Sequence, residues 1–313
     1  MLTPSCLTGV AVTTPYRGRF APSPTGPLHF GSLVAAVGSY LDARSHGGGW
    51  LLRIEDIDTP RTVHGSADDI QRTLEAFGFE WDGEVVWQSD RLDRYHAALV
   101  GLQLDGLAYP CACSRKDIAA SAASRSVDGG LLYPGNCRQG LPEEAVARAW
   151  RLRVPDREFI FSDRIQGEFR QNLERDVGDF VLLRADGQYA YQLAVVVDDA
   201  AQGVNAVVRG ADLLDSAARQ LWLMECLGLS APSYAHLPVV VNPAGEKLSK
   251  QTRARAIDPS QGVPLLTKVM RFLGQPVPEE IEHSSLNVFW SWAIAHWDLS
   301  QVPRVRAIYP GSD

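Results

Sequence analysis

Residues 19–32, RFAPSPTGPLHFGS, constrain the fold more than any other stretch, because they stop a strand and start a helix within a few positions. RGRF reads as a short strand. Pro22, Pro24 and Pro27 then remove backbone donors and fix φ, so a strand ladder cannot continue through them. Leu33, Val34, Val37, Tyr40 and Leu41 recur at helical spacing until HGGG stops the helix. WLLRI gives a second strand ending in EDID. Ile70, Leu74 and Phe77 mark a second helix before GFEWDG, and Leu92, Tyr95, Leu99 and Leu102 mark a third. This order of elements predicts a parallel sheet with helices on both faces.

From Tyr109 to Arg184 the pattern changes to short strands, turns and two clusters of cysteine, which reads as an inserted domain. Strand and helix alternation returns with YAYQLAVVV, NAVVRG, a helix through Leu221, Met224 and Leu227, and the strand HLPVVV. The residues after Lys250 read as mostly helical and include FWSWAIAHW. With 45% hydrophobic residues, the chain can bury a full core. It carries no apolar run of about eighteen residues and no charged leader, so we expect a cytoplasmic protein. Five cysteines are an odd and sparse set for this length, which argues against a disulfide framework and directs attention to a metal site. The net charge of −7 does not advertise a nucleic-acid binder, but the local field on a binding face decides that question.

In an open α/β sheet, ligands sit at the carboxyl ends of the strands, and the next helix aims its amides and positive dipole end at them. The turn at residues 22–29 suits a nucleotide phosphate. Gly26 and the prolines turn the backbone tightly, Ser23 and Thr25 offer hydroxyls, and His29 can donate a proton without a permanent charge. By itself, such a turn is more often a plain strand-to-helix loop.

PSPTGPLHFGS resembles the HIGH signature of class I aminoacyl-tRNA synthetases, with His29, Phe30, Gly31 and Ser32 on its four positions. Its lead-in, RFAPSPTG, has the form found in glutamyl-tRNA synthetases. KLSK, residues 247–250, resembles the KMSKS loop whose lysines neutralise the departing pyrophosphate. Ser32 replaces the last histidine of HIGH and Gln251 the last serine of KMSKS. The resemblance implies ATP contacts from Thr25, His29, Gly31, Ser32, Lys247 and Lys250, with His29 and Lys250 catalytic and Mg2+ accompanying ATP. It implies an L-glutamate site built from Arg19, Phe20, Ala21, Pro22, Ser23, Glu55, Tyr191 and Arg209. Glu55 would take the ammonium group. Arg19 and Arg209 suit a carboxylate, because a guanidinium donates two parallel hydrogen bonds. Asp56 and Asp58 are expected to form a solvated acidic loop, and the pattern around Tyr191 fits a core position as well as a site.

YPCACSRKDI brings Cys111 and Cys113 together, and YPGNCR supplies Tyr133 and Cys137. A lone C-x-C is compatible with buried free thiols. The combined pattern resembles the zinc site of a shortened branch of the glutamyl-tRNA synthetases, which transfers glutamate to queuosine in tRNA(Asp). That resemblance implies one structural Zn2+ on Cys111, Cys113, Tyr133 and Cys137. The expected architecture is a Rossmann-type class I fold with an inserted zinc-bearing domain, a short helical stem-contact region and no anticodon-binding domain. Its expected divisions are an N-terminal extension (1–16), a first catalytic half (17–108), the insert (109–184), a second catalytic half (185–245), and the KMSKS-like loop with the helical region (246–313). KLSKQTRARA offers Lys247, Lys250, Arg253 and Arg255 as phosphate contacts or as a solvated basic loop. The expected partners are ATP, L-glutamate and queuosine-bearing tRNA(Asp), bound by a monomer. A truncated enzyme charging a tRNA 3′ end and a non-catalytic tRNA- or protein-binding paralogue are the alternatives.

Overall fold

The computed structural model describes residues 15–122, 124–127, 129–248 and 255–311. Strands β1 (Arg17–Phe20), β2 (Gly49–Ile54) and β3 (Val86–Trp87) pair in parallel, in the order β1-β2-β3. Helices α1 (Phe30–Ser45), α2 (Ser66–Ala76) and α3 (Leu92–Leu104) follow them in turn. Next come β4 (Ala108–Cys111), α4 (Arg115–Ser121), β5 (Ala149–Leu152), β6 (Glu158–Asp163), β7 (Gly167–Asn172), α5 (Leu173–Asp176) and β8 (Phe180–Leu183). The second half runs α6 (Tyr191–Ala201), β9 (Ala206–Gly210), α7 (Ala217–Cys226), β10 (Ser233–Leu237) and β11 (Val239–Val240). The chain then continues through α8 (Gly262–Phe272), α9 (Glu279–Glu282), α10 (Leu286–His296) and β12 (Ala307–Ile308), and β12 returns to pair with β11.

The second sheet has the order β7-β6-β10-β9, with β9, β10 and β6 parallel. Its β9 edge meets the β1 edge of the first sheet, where the Asn205 amide donates to the Arg17 carbonyl at 3.1 Å. The crevice at the carboxyl ends of β1 and β9 therefore lies where strand order reverses, the usual place for a ligand in a doubly wound fold. The hairpin β6–β7 falls inside the segment expected to form the insert, yet it edges this second sheet. Among the described residues, β4, β5 and β8 form a separate antiparallel sheet. Val195, Val196 and Val197 suit a strand by side-chain shape, but they form helix α6 because Leu193, Ala194, Val195 and Val196 all bury in one core.

Helix α1 is apolar nearly all round because it is covered on every side. Leu33, Val37 and Leu41 are fully buried, and each burial contributes about 1.5–3 kcal/mol of transfer free energy. Gly38 sets the spacing between α1 and β10, since a Cβ there would lie 2.6 Å from a Leu237 methyl. The aromatic run in α10 closes this core. Trp290 packs on Tyr40 at 4.9 Å between ring centroids and donates its indole proton to the Phe77 carbonyl at 2.9 Å.

Candidate active site

A cavity of about 770 Å³ opens at the ends of β1, β2 and β9. Arg19, Phe20, Ala21, Pro22, Ser23, Thr25, His29, Gly31, Ser32, Glu55, Tyr191, Arg209 and Lys247 all line it, so the structure gathers these expected residues in one place. Lys250 and Arg253 lie outside the described residues, as do residues 1–14 of the N-terminal extension.

Local chemistry shapes the turn. Gly26 adopts φ 133°, which a side chain disfavours, and the Ser66 hydroxyl clamps it by accepting from Gly26 N–H at 3.0 Å and donating to its carbonyl at 2.8 Å. His29 caps α1, its Nδ1 accepting from the Ser32 amide at 3.2 Å, which puts the ring proton on Nε2. No acidic residue sits in the first turn of α1, so its positive end stays uncompensated.

At the other end of the cavity lies a buried ion network. Arg19 Nε donates to both carboxylate oxygens of Asp199, at 3.2 and 3.4 Å. Arg53, with no solvent exposure, reaches Asp199 at 2.8 Å and Glu55 at 3.3 Å. Neighbouring Asp198 accepts from Arg91 at 2.5 Å, Tyr95 at 2.7 Å and Gln88 at 2.9 Å. Burial pushes the Glu55 carboxyl up despite Arg53 and Arg19. Burial acts on Asp199 too, but Arg19 and Arg53 outweigh it and hold that carboxyl below its usual range. Arg209 donates through Nε to His236 Nε2 at 3.0 Å and through Nη2 to the Leu213 carbonyl at 3.3 Å. Its Nη1 is buried without a hydrogen-bond partner.

Sequence reasoning missed Arg53, Asp199, His236 and Asp163. A signal existed for the first two. Arg53 interrupts an apolar strand, and Asp199 ends an apolar run, and charges so placed need partners. Asp56 and Asp58 depart from the solvated loop expected of them. Asp56 accepts from Ser89 N–H at 2.9 Å and Ser89 Oγ at 2.7 Å, while Asp58 pairs with Arg61 and lies 3.7 Å from Arg184.

Both flanks of residues 249–254 are pinned beside the turn. Leu248 N–H donates to the Val240 carbonyl at 2.8 Å, and Ile257 N–H to the Leu28 carbonyl at 3.0 Å. Lys247 Nζ sits 2.5 Å from Asp212 at the rim of the cavity.

Residues 15–263 match the family described as class I tRNA synthetases (E and Q), catalytic domain. The chain is 64% identical over 297 residues to a glutamyl-Q tRNA(Asp) synthetase of Dechloromonas aromatica, covering 95% of this chain and 99% of that one. It is 61% identical over 288 residues to the protein of the same name from Chromobacterium violaceum, covering 92% and 95%. The chain belongs to the glutamyl-Q tRNA(Asp) synthetase family. This synthetase is therefore a ligase of the class I aminoacyl-tRNA synthetase type. A crystal structure of a glutamate tRNA ligase from Elizabethkingia meningosepticum in complex with its amino acid superimposes with a TM-score of 0.77 at 29% identity, over 94% of this chain and 67% of that one.

The synthetase also has a compact donor cluster beside β4. The sulfurs of Cys111, Cys113 and Cys137 lie within 4.8 Å of one another, with Cys113 and Cys137 3.6 Å apart. The Tyr133 hydroxyl lies 3.4 Å from Cys111 Sγ and 3.8 Å from Cys113 Sγ. Tetrahedral zinc with sulfur at about 2.3 Å spaces its ligands about 3.8 Å apart, so these four donors fit such an ion. Arg151, itself buried, donates to Cys111 Sγ at 3.3 Å and lies 3.8 Å from the Tyr133 ring centre, a cation placed to balance an anionic ligand set. Burial raises the Cys111 thiol, but its hydrogen bonds with Tyr133 and Arg151 prevail and hold it below its ordinary range.

Proposed function

We propose that this synthetase activates L-glutamate with ATP and transfers the glutamyl group to the queuosine base of tRNA(Asp). One observation carries the amino-acid assignment. Glu55 and Arg209 face one cavity with opposite charges, and Arg209 keeps a buried Nη1 with no partner. An unpaired buried donor is costly, and a substrate carboxylate satisfies it. Glu55 then takes the α-ammonium, and Tyr191 closes the pocket between them. Phe20, Ala21, Pro22 and Ser23 form the wall that carries Arg19. The glutamate α-carboxylate attacks the α-phosphorus of ATP, forming glutamyl-adenylate and expelling pyrophosphate. The protein supplies positioning and charge. His29 donates from Nε2 to a phosphate oxygen, the Gly31 amide, the Ser32 hydroxyl and the positive end of α1 receive negative charge beside Thr25, and Lys247 and Lys250 meet the departing pyrophosphate. Mg2+ travels with the nucleotide phosphates. Cys111, Cys113, Tyr133 and Cys137 hold one structural Zn2+, and elemental analysis of protein purified without chelators returns one equivalent.

The acceptor assignment is supported by the names of the full-length relatives. Pyrophosphate exchange tests activation. Glutamate alone among the amino acids drives exchange, without tRNA, and a requirement for tRNA contradicts the proposal. Radiolabelled glutamate offered to tRNA from queuosine-replete and queuosine-deficient cells tests the acceptor. Label appears only in the replete sample and maps to the anticodon loop after nuclease digestion. Equal labelling, or label on the 3′ adenosine, favours 3′-end charging instead.

A further inference from the structure

Behind Arg209 lies a second buried pair, neither member of which lines the cavity itself. His236, on β10, stands in register with Arg209 on β9, and its Nε2 accepts from Arg209 Nε at 3.0 Å. Its Nδ1 lies 2.6 Å from Asp163 Oδ2, and neither side chain of the His236–Asp163 pair has any solvent exposure. Since Arg209 Nε can only donate, His236 Nε2 must present a lone pair, and the single ring proton sits on Nδ1, donated to Asp163. Burial and the Arg209 charge outweigh Asp163 and hold the imidazole below its ordinary range, in keeping with a neutral ring.

We infer that Asp163 and His236 are positioning residues that select the tautomer holding Arg209 for its substrate carboxylate. The inference rests on the assignment of Arg209 to glutamate. Asp163 is well suited to the task, because its two oxygens are divided between two jobs. Oδ1 accepts from the backbone amides of Ile165 at 3.0 Å, Gln166 at 2.8 Å and His236 at 3.1 Å. Only Oδ2 faces the imidazole. An asparagine at this position would keep its carbonyl on the three amides and turn its NH2 toward Nδ1. The imidazole proton would then move to Nε2 and point at Arg209 Nε–H, two donors facing each other. Arg209 would be driven from the geometry in which Nη1 meets the cavity. The same exchange of carboxylate for amide disables a histidine by its tautomer in serine proteases.

The test measures KM for glutamate and for ATP in pyrophosphate exchange with the full chain. Arg209→Ala comes first, and an unchanged glutamate KM there overturns the glutamate assignment itself. With that assignment standing, His236→Phe raises the glutamate KM about tenfold, the effect of losing one hydrogen bond to a charged group. His236→Gln, which can present an acceptor where Nε2 stood, recovers most of the loss. Asp163→Asn matches His236→Phe in the histidine background but adds nothing to His236→Gln, because glutamine has no tautomer to select. The ATP KM stays within about twofold of the starting protein throughout, since a twofold change is under half a kilocalorie per mole. An equal loss from Asp163→Asn in both backgrounds makes that residue a general support of the fold and overturns the inference. So does a parallel rise in both KM values, or an unchanged glutamate KM in Asp163→Asn and His236→Phe. Should His236→Phe fail to fold, the Asp163→Asn and His236→Gln pair carries the same comparison.

Discussion

The two ends of the cavity are built by opposite means. At the end that holds Glu55 and Arg209, the side chains of Arg19, Arg53, Glu55 and Asp199 are buried and wired to one another, while buried Arg209 is held separately by His236. At the end beside the start of α1, charge comes from His29, the mouth of α1 and Lys247, whose partner Asp212 is part-exposed on the rim. A buried network holds its geometry because separating its charges is expensive, whereas an exposed pair exchanges partners at little cost. On the proposed function, one end is fixed for a small zwitterion, and the other is left to be assembled around a polyanion that brings its own charge.

The sharpest way to break this contrast is to remove the hub of the buried network. Arg53→Met keeps the shape of the side chain but leaves Glu55, Asp198 and Asp199 without their shared guanidinium. Stripping one partner from a buried ion pair costs about 3–5 kcal/mol. Denaturant unfolding shows the loss as a lowered midpoint at unchanged slope, with glutamate-dependent exchange abolished. Lys247→Met leaves the midpoint where it was. Equal midpoints for the two variants would mean that the ends do not differ as described.

The same contrast explains what could be read from the sequence. Residues that line the cavity, such as Arg19, His29 and Arg209, stand at strand ends or helix starts, and their neighbours in sequence announce them. Their supports do not. Asp199 meets Arg19 and Arg53 only after α6 docks beneath β1 and β2, and Asp163 meets His236 only because β6 pairs in parallel with β10. That single strand pairing also draws the β6–β7 hairpin out of the expected insert. Long-range pairing of this kind leaves no local periodicity, although a charge inside an apolar strand, as at Arg53, already requires a partner. The cysteine cluster shows the reverse case, since close spacing brought Cys111, Cys113, Tyr133 and Cys137 together as the motif implied.

A smaller effect sharpens the description of the buried end. The Glu55 carboxyl is held above its ordinary range, mainly by burial. A bound ammonium favours the carboxylate and lowers that pKa, so glutamate affinity is complete above the raised pKa and falls as pH drops through it. KM for glutamate therefore rises as pH falls through that raised pKa, approaching about tenfold per pH unit. Glu55→Gln binds glutamate weakly and flattens this dependence. A profile that keeps its slope in Glu55→Gln would assign the titration to another group. The KM for ATP lacks this acid limb, which separates the two ends kinetically.

The smallest effect belongs to the rim. On the proposed function, Lys247 Nζ, 2.5 Å from Asp212, turns from a carboxylate to a phosphate when ATP enters. Asp212 then acts as a competitor that parks the lysine, and Asp212→Asn releases it. Exposed ion pairs contribute so little that the gain is modest, a fall in the ATP KM of less than about fivefold. Added salt screens the pair and shrinks the difference between variant and parent. The glutamate KM and the unfolding midpoint stay unchanged, because Asp212 supports neither the buried network nor the core. A higher ATP KM in Asp212→Asn would mean that the aspartate helps to bind the nucleotide, and the rim would then share the prebuilt character of the buried end.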